Sequence, residues 1–478
     1  MVKLSIFRPI YYGKFLELFA ICQVYSSTQN GTTILNIAII GAGASGITSA
    51  KYALDQGYNV TVYEHTEQIG GIWWYTDETD KDQYGNNIHS PMYQGLRTNL
   101  PYQLMEFPDF PYPKETISYP SQPVVLNYLQ SYAERFDIKN HIKFSHLIIR
   151  VLPIENGKWQ VIVKDLPNDK FITLIYDVVF VCTGRFSSLR YPSIPNEFQG
   201  KSLHSHDYRT AETFRDESVL LIGSGASGLD MVNHLSKTAQ RITFSQNKRQ
   251  NETKEEHEKR QRSLPRNVLL QDNVKSLTPT GAEFIDGSHQ NFSVVIFATG
   301  YNFSYPFLSV NTGINVNENC VTPLYKQIFN IEHPTMAFIG VPFTACTIRV
   351  YDIQMRFVIK FLSGEKILPP KSEMLKDMQT QLQNHYKKGY RKRLTHFLGP
   401  EQKEYFDQLA EMADIENIPE VMSDMHFIAR TTMLREPAQY QRYSMKQRTC
   451  RHTRGFSISL ALAIRELLKH HICSALDI

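Results

Sequence analysis

A strand, glycine-turn and helix pattern occurs twice in this chain, at residues 35–57 and 218–235, and predicts an α/β protein of two Rossmann-like dinucleotide-binding domains. Each copy continues into a second apolar run, at 58–63 and 241–245, which completes a βαβ unit. The segments 176–184 and 292–300 are apolar strands that both end in Thr-Gly, and they bracket the second copy. The chain therefore leaves one sheet and later returns to it, with the smaller domain inserted into the larger. The expected boundaries are 35–190 and 300–440 for the two parts of the larger domain and 191–299 for the insert. Residues 1–34 form an extension, and 441–478 form a tail with no assigned role.

The first unit opens on Leu35 to Ile40, apolar enough for a strand buried on both faces, as in a parallel sheet. It breaks into Gly41-Ala42-Gly43-Ala44-Ser45-Gly46, and a helical pattern runs from Ile47 to Gln56. Such a turn lets the backbone approach a pyrophosphate at the positive end of a helix. The next strand, Tyr58 to Tyr63, ends on Glu64. An acid about 20 residues past the glycines is where a ribose hydroxyl is held.

Composition sets further limits. The chain has 478 residues, net charge +4, and 42% hydrophobic and 21% charged residues. That is an ordinary globular balance of several domains, with no basic face to suggest a nucleic-acid partner. The basic run Lys387–Arg393 reads as a solvated stretch of helix. The six cysteines (Cys22, Cys182, Cys320, Cys346, Cys450 and Cys473) are scattered. They form no redox dithiol or zinc ribbon, and no metal site is expected. No apolar run reaches the ~18 residues of a transmembrane helix. Lys3, Arg8 and Lys14 before Phe15 to Cys22 resemble a secretory leader that Glu17 interrupts. A leader implies secretion or the endoplasmic reticulum lumen; without one the chain is cytoplasmic. Glycosylation acceptor patterns stand at Asn30, Asn59, Asn251, Asn291 and Asn302, and Asn59 falls in the strand expected to be buried.

After the first unit, Gly70-Gly71-Ile72-Trp73 reads either as a cover for a planar cofactor or, with Trp74, as a core aromatic pair. Thr98-Asn99-Leu100-Pro101 is by default a turn. Residues 107–112 form a loop packed by its own rings. A helix is expected at 122–136 and strands at 142–151, 159–164 and 171–181. In the insert, Ser218 to Ile222 is a strand and Gly223-Ser224-Gly225-Ala226-Ser227-Gly228 the turn. Leu229, Val232 and Leu235 keep helical spacing, and Arg241 to Ser245 is the next strand. Beyond it come a short strand at 336–340 and helices at 351–363, 371–388 and 401–412.

The two units differ in charge. The first ends on Glu64; the second reaches Ser245-Gln246-Asn247-Lys248-Arg249, with no acid and two cations. A carboxylate ~4 Å from a 2′-phosphate costs about 1–4 kcal/mol per unit charge, whereas a free 2′-hydroxyl wants that carboxylate. The first crevice thus suits the adenosine of FAD and the second suits NADPH, with Lys248 and Arg249 at the 2′-phosphate.

Between the fingerprints stands Phe198-x-Gly200-x-x-x-His204-x-x-x-Tyr208. This resembles the signature of the flavin-containing monooxygenases, as do Gly70 to Trp73, Leu96 to Pro101, Ala298 to Tyr301 with Pro306 to Leu308, and Leu324 to Gly340. The resemblance covers about residues 35–440 and is nearest to the insect-type members, the alkaloid (senecionine, pyrrolizidine) N-oxygenases among them. It implies that NADPH reduces FAD, that O2 adds to give a C4a-hydroperoxyflavin, and that a small amine or sulfide takes the distal oxygen. It implies FAD contacts at Gly41, Ala42, Gly43, Ala44, Ser45, Gly46, Glu64, Ile72, Trp73 and Thr98, and a hydrogen-bonding catalytic role for Asn99. It implies NADPH contacts at Gly223, Gly225, Ser227, Gly228, Leu229 and Asp230, and makes His204 a brace between the nucleotide domains. His206 lies outside the pattern. Many members carry an arginine directly after the serine closing the second strand; here Gln246 and Asn247 intervene. A Baeyer–Villiger monooxygenase and a non-catalytic flavin-binding protein stay open as alternatives, as does homo-oligomerisation.

Overall fold

The structure is a computed structural model and describes residues 34–247, 252–435 and 441. The N-terminal extension, Lys248, Arg249 and the tail beyond 441 lie outside the described residues. Strand β1 (Asn36–Ile40) is apolar throughout, and Ile37 to Ile40 are all buried. It pairs in parallel with β2 (Asn59–Tyr63) on one side and β7 (Val178–Val181) on the other. Helix α1 (Ala44–Asp55) crosses between β1 and β2, and Gly46, Ala50 and Ala53 on its inner face let it lie close to the sheet. Asn59 is exposed at the start of β2, not buried as expected, and its amide donates to the Asn36 Oδ1 at 2.7 Å.

Helix α2 (Gln122–Arg135) agrees with the expected one. The rings of residues 107–112 do not pack on one another alone. Phe107 stacks on Tyr132 with centroids 3.7 Å apart and Tyr112 stacks on Tyr128 at the same distance, so the loop closes on α2. The strand expected at 142–151 is two, β3 (Ile142–Lys143) and β4 (His146–Pro153), because Ser145 turns the backbone to φ +54°. The strand expected at 171–181 is also two. With β5 (Trp159–Asp165), β6 (Lys170–Tyr176) belongs to an antiparallel meander β4-β5-β6, whereas β7 belongs to the central sheet. Asp177 marks the change of sheet: its carboxylate accepts the Asn36 N–H at 2.9 Å and pairs with Lys158 at 2.9 Å. β6 is mostly exposed and β7 wholly buried, so one apolar run serves two environments.

The chain leaves through β8 (Ser188–Leu189) into a second sheet. Strands β9 (Lys201–His204), β10 (Ser218–Ile222), β11 (Arg241–Ser245), β12 (Val268–Gln271) and β16 (Val294–Phe297) form it in the order β12-β11-β10-β16-β9, all parallel. Helix α3 (Ala226–Leu235) follows β10, α4 (Lys254–Ser263) follows β11, and β13 (Val274–Thr278), β14 (Gly281–Phe284) and β15 (His289–Asn291) form a three-stranded antiparallel sheet. The chain returns through β17 (Tyr301–Asn302), which pairs antiparallel with β8, Tyr301 opposite Leu189 and Asn302 opposite Ser188.

A hairpin, β18 (Asn315–Asn317) and β19 (Cys320–Thr322), precedes β20 (Leu324–Tyr325), β21 (Phe329–Asn330) and β22 (Met336–Phe338). These complete a seven-stranded sheet β20-β21-β22-β7-β1-β2-β3. Helix α5 (Thr347–Leu362) packs on α1 and starts four residues before the expected helix; α6 (Lys371–Lys387), α7 (Gln402–Ala413) and α8 (Glu420–Arg435) follow. Helix α6 stops at Lys387, so most of the basic run lies beyond it, with Lys388 paired to Glu401 at 2.9 Å. Among the described residues Cys182, Cys320 and Cys346 are buried free thiols, no three metal-ligating side chains cluster, and no helix is long and apolar enough to cross a membrane.

Candidate functional site: two nucleotide crevices and their junction

The first glycine turn is fixed by close backbone approach. Gly41 has φ +103°, and a Cβ there would stand 2.8 Å from the Cys182 carbonyl oxygen. A Cβ on Gly46 would stand 1.8 Å from the Gly41 carbonyl, so α1 can seat on the turn only with glycine there. A Cβ on Gly43 would stand 3.5 Å from the Gly71 Cα. No side chain caps α1 and no acid lies in its first turn, leaving its N–H groups for an external anion. Ser45 is buried, its hydroxyl donating to the Cys182 carbonyl, which makes its side chain a brace for the turn. Beyond β7, Thr183 and Gly184 are exposed at the edge of the sheet where a nucleotide would cross.

Glu64 is 3% exposed and fully engaged. It accepts the Ala42 N–H at 2.8 Å and the Thr66 N–H and hydroxyl at 2.9 Å each, and His65 Nδ1 lies 3.1 Å away. Burial pushes its pKa up. The hydrogen bond and charge of His65, the charge of His89 and the Ala42 N–H overcome that and hold it at about 2. His65 is itself raised, burial working against the nearby Glu64 carboxylate, while burial and the neighbouring His65 lower His89 to about 4. The two rings meet edge to face at 4.7 Å. Neither histidine figured in the sequence reading; the Glu64-His65 dipeptide at a strand end was the available signal.

Over this crevice lies Gly70 to Trp73. The Ile72 carbonyl accepts the Ser90 hydroxyl at 2.7 Å, and the Gln122 amide donates to the Trp73 carbonyl. Trp73 and Trp74 are half-buried and make no ring contact with each other, so they are not a core pair. Asn99 is exposed, whereas its neighbour Thr98 is 2% exposed and locked, with its N–H on the Pro120 carbonyl at 3.0 Å and its hydroxyl on the Leu100 carbonyl at 2.7 Å. The loop anchored at Thr98 therefore presents the Asn99 amide without a hydrogen-bond partner among the described residues.

The second turn repeats the first. Gly223 has φ +113°, its Cβ position 2.3 Å from the Ala298 carbonyl, and that of Gly228 lies 1.9 Å from the Gly223 carbonyl. Gly225 faces open space, and α3 again starts uncapped and without an acid. The strand ends differ. Ile222 stands opposite Ser245 as Ile40 stands opposite Tyr63, so Gln246 takes the place of Glu64. Ser227 is half-buried at the turn, but Leu229 and Asp230 face inward. The Tyr93 hydroxyl donates to the Asp230 carboxylate, and His234 Nε2 lies 3.8 Å from it. Asp230 thus ties α3 to the loop that leads to Asn99, and its side chain does not point into the crevice.

The junction is aromatic. His204 ends β9 with no exposure, its ring 5.2 Å from Tyr301 and 5.5 Å from Tyr191. Burial and the neighbouring His206 lower it to about 4, so it is neutral. It packs against both crossing segments, in keeping with a brace. His206 is buried with its Nδ1 2.7 Å from Asp207, and Tyr208 stacks on Phe214.

The family model for flavin-binding monooxygenase-like proteins matches residues 35–251 and 246–430. The chain is 33% identical over 428 residues to senecionine N-oxygenase of Tyria jacobaeae, covering 88% of this chain and 92% of that one. It is 34% identical over 403 residues to the flavin-containing monooxygenase FMO GS-OX4 of Arabidopsis thaliana, covering 80% and 85%. Its fold superposes on S-allyl-L-cysteine S-oxygenase from Allium sativum with a TM-score of 0.79 at 28% identity, over 92% of this chain and 99% of the other. With paired glycine turns, uncapped helices and one buried acid at the expected strand end, the chain belongs to the flavin-binding monooxygenase-like family of enzymes.

Proposed function

We propose that the first crevice holds FAD, that the second holds NADPH, and that the enzyme transfers one oxygen atom from O2 to the amine nitrogen or sulfide sulfur of a small molecule. The contrast between the strand ends carries the assignment. Glu64 is a buried anion at the end of the first unit's second strand, the position at which such units hold a ribose hydroxyl, whereas Ser245-Gln246 would place no anion against a 2′-phosphate. Gly41 to Gly46 and Gly223 to Gly228 would each lay a pyrophosphate against an open helix terminus. Lys248 and Arg249, outside the described residues, would meet the 2′-phosphate. When bound, the flavin supplies two-electron activation of O2 with electrons from NADPH.

The chain's own residues orient and exclude water. Ile72 and Trp73 would wall a bound ring system, Thr98 anchors the loop that carries Asn99, and the Asn99 amide would offer a hydrogen bond to the bound flavin. The buried rings of Tyr301 and His204 close the junction between the two crossings. A soft nucleophile is supported by similarity to an N-oxygenase and an S-oxygenase. Purified enzyme should be yellow, and should consume NADPH while converting N,N-dimethylaniline and methyl p-tolyl sulfide but not cyclohexanone. Ester formation from the ketone, or NADPH use with no oxygenated product, would refute the reading.

We also propose entry into the secretory pathway, supported by the leader-like start and by the exposure of Asn59 and Asn291. A mobility shift on glycosidase treatment of the expressed protein is the test, and no shift would count against it.

A further inference from the structure

Arg185 lies three residues past Cys182, at the same sheet edge as the first glycine turn. Its guanidinium sits 4.0 Å over the Phe343 ring, 5.3 Å from Phe186 and 5.7 Å from Phe303. Among the described residues no carboxylate faces it; the phenols of Tyr351, Tyr305 and Tyr301 do, and burial raises all three, so they are uncharged. Among the described residues it has no hydrogen-bond or ion-pair partner, unlike Arg209, whose guanidinium donates to four backbone carbonyls. Desolvation pulls its pKa down to about 10, yet it is only half-buried. The surface it keeps lies among the rings of Phe343, Phe186 and Phe303, which wall a cleft around it.

The walls of that cleft come from three places. They are the chain just past β7, the return segment 301–305, and Phe343 just past β22. Tyr351 closes it, its ring packed where a Gly340 Cβ would be. This is the C-terminal edge of the parallel strands β22, β7, β1 and β2, where ligands of such folds bind. A guanidinium partly desolvated by aromatic walls and left without an anion is costly to keep, and a planar fork is built to receive a carboxylate. The pyrophosphates already have their own sites, at the open termini of α1 and α3.

We propose that Arg185 is a specificity-determining residue that selects, among oxygenation substrates, those carrying a carboxylate. The aromatic walls hold the apolar part of the substrate, and the guanidinium takes the anion. The same charge disfavours a protonated amine in that position. The inference rests on the oxygenase reading given above.

The probes are 3-(methylthio)propanoate and its neutral counterpart 3-(methylthio)propan-1-ol, with flavin-loaded enzyme and NADPH. One charge-assisted contact corresponds to about 10- to 100-fold in affinity. Wild type should favour the acid by about that factor in kcat/KM, and calorimetry should show it binding more tightly. Arg185→Met should raise KM for the acid by about 10- to 100-fold, leaving KM for the alcohol, KM for NADPH and flavin content unchanged. Arg185→Lys should restore part of the preference. Equal treatment of the two sulfides by wild type overturns the proposal. So does an Arg185→Met variant that weakens both sulfides alike, or one that loses flavin, which would assign the guanidinium to the cofactor. Failure of wild type to oxygenate either sulfide would instead strike the oxygenase reading, and the calorimetric comparison would still decide on Arg185.

Discussion

Replacing Glu64 by Gln keeps the volume of the side chain and removes its charge. The carboxylate now accepts from Ala42, from the backbone and hydroxyl of Thr66, and stands beside His65. An amide offers one acceptor oxygen, so its NH2 must face either the Ala42 or the Thr66 N–H, donor against donor. The pKa change from 4.5 to about 2 corresponds to about 3 kcal/mol of preference for the ionised form in the folded protein. The folded value lies below the unfolded one, so this stabilisation is complete above pH 4.5 and is lost as the pH falls toward 2. His65 works in the other direction. Its pKa is raised, so its share is complete below 6.5 and is lost as the pH rises through the raised value. The ionic pair is therefore strongest between about pH 4.5 and 6.5. Urea unfolding followed by circular dichroism should place the Glu64→Gln midpoint well below wild type at pH 6, with the gap closing at pH 4 and below. Flavin per protein, read from visible absorbance, should fall with it. A variant with full flavin and an unmoved midpoint at pH 6 would refute both the energetic reasoning and the ribose role.

Three more outcomes are expected. Asn99→Ala should retain flavin, because Thr98 holds the loop, but should lose at least about 10-fold in product formed per NADPH, the order of one removed hydrogen bond to a reacting centre; undiminished yield would count against the role. Gly228→Ala should abolish folding of the insert, since its Cβ would meet the Gly223 carbonyl at 1.9 Å, whereas Gly225→Ala should fold and raise the KM for NADPH; matching melting curves for the two variants would contradict the close-approach argument. Changing Lys248 and Arg249 together to Ala should raise the KM for NADPH more than that for NADH, as steady-state kinetics with both would show.

The two sheets were legible in the sequence because each of their central strands is buried on both faces and runs into a glycine turn. The first helix and the paired Thr-Gly ends were legible for the same reason. The change of sheet at Asp177 was not. Continuous hydrophobicity from 171 to 181 does not distinguish a half-exposed meander strand from a buried one, and the switch depends on Asp177 meeting Asn36 and Lys158 from distant parts of the chain. At the site, the glycines and Glu64 were legible because their roles lie in local backbone geometry and charge. Asp230 belongs to the turn motif, yet its carboxylate is spent on Tyr93, 137 positions away. Arg185 gave no sequence signal, since its aromatic surroundings and its want of a polar partner among the described residues show only when three separated segments come together around it.

The pairing of β8 with β17 brings the insert's two ends to neighbouring strands, about 5 Å apart. Closing a gap of that width takes only a tight turn, so removing the second sheet and its helices leaves a scar that a few residues can span. The backbone crossings alone would admit a foreign module whose own termini sit side by side, but that module would also have to replace the contacts of Asp230 with Tyr93 and of Arg209 with the Glu78 and Ser90 carbonyls. A chimera grafted there that still bound flavin would show that the host scaffold and its guest carry separable architectures.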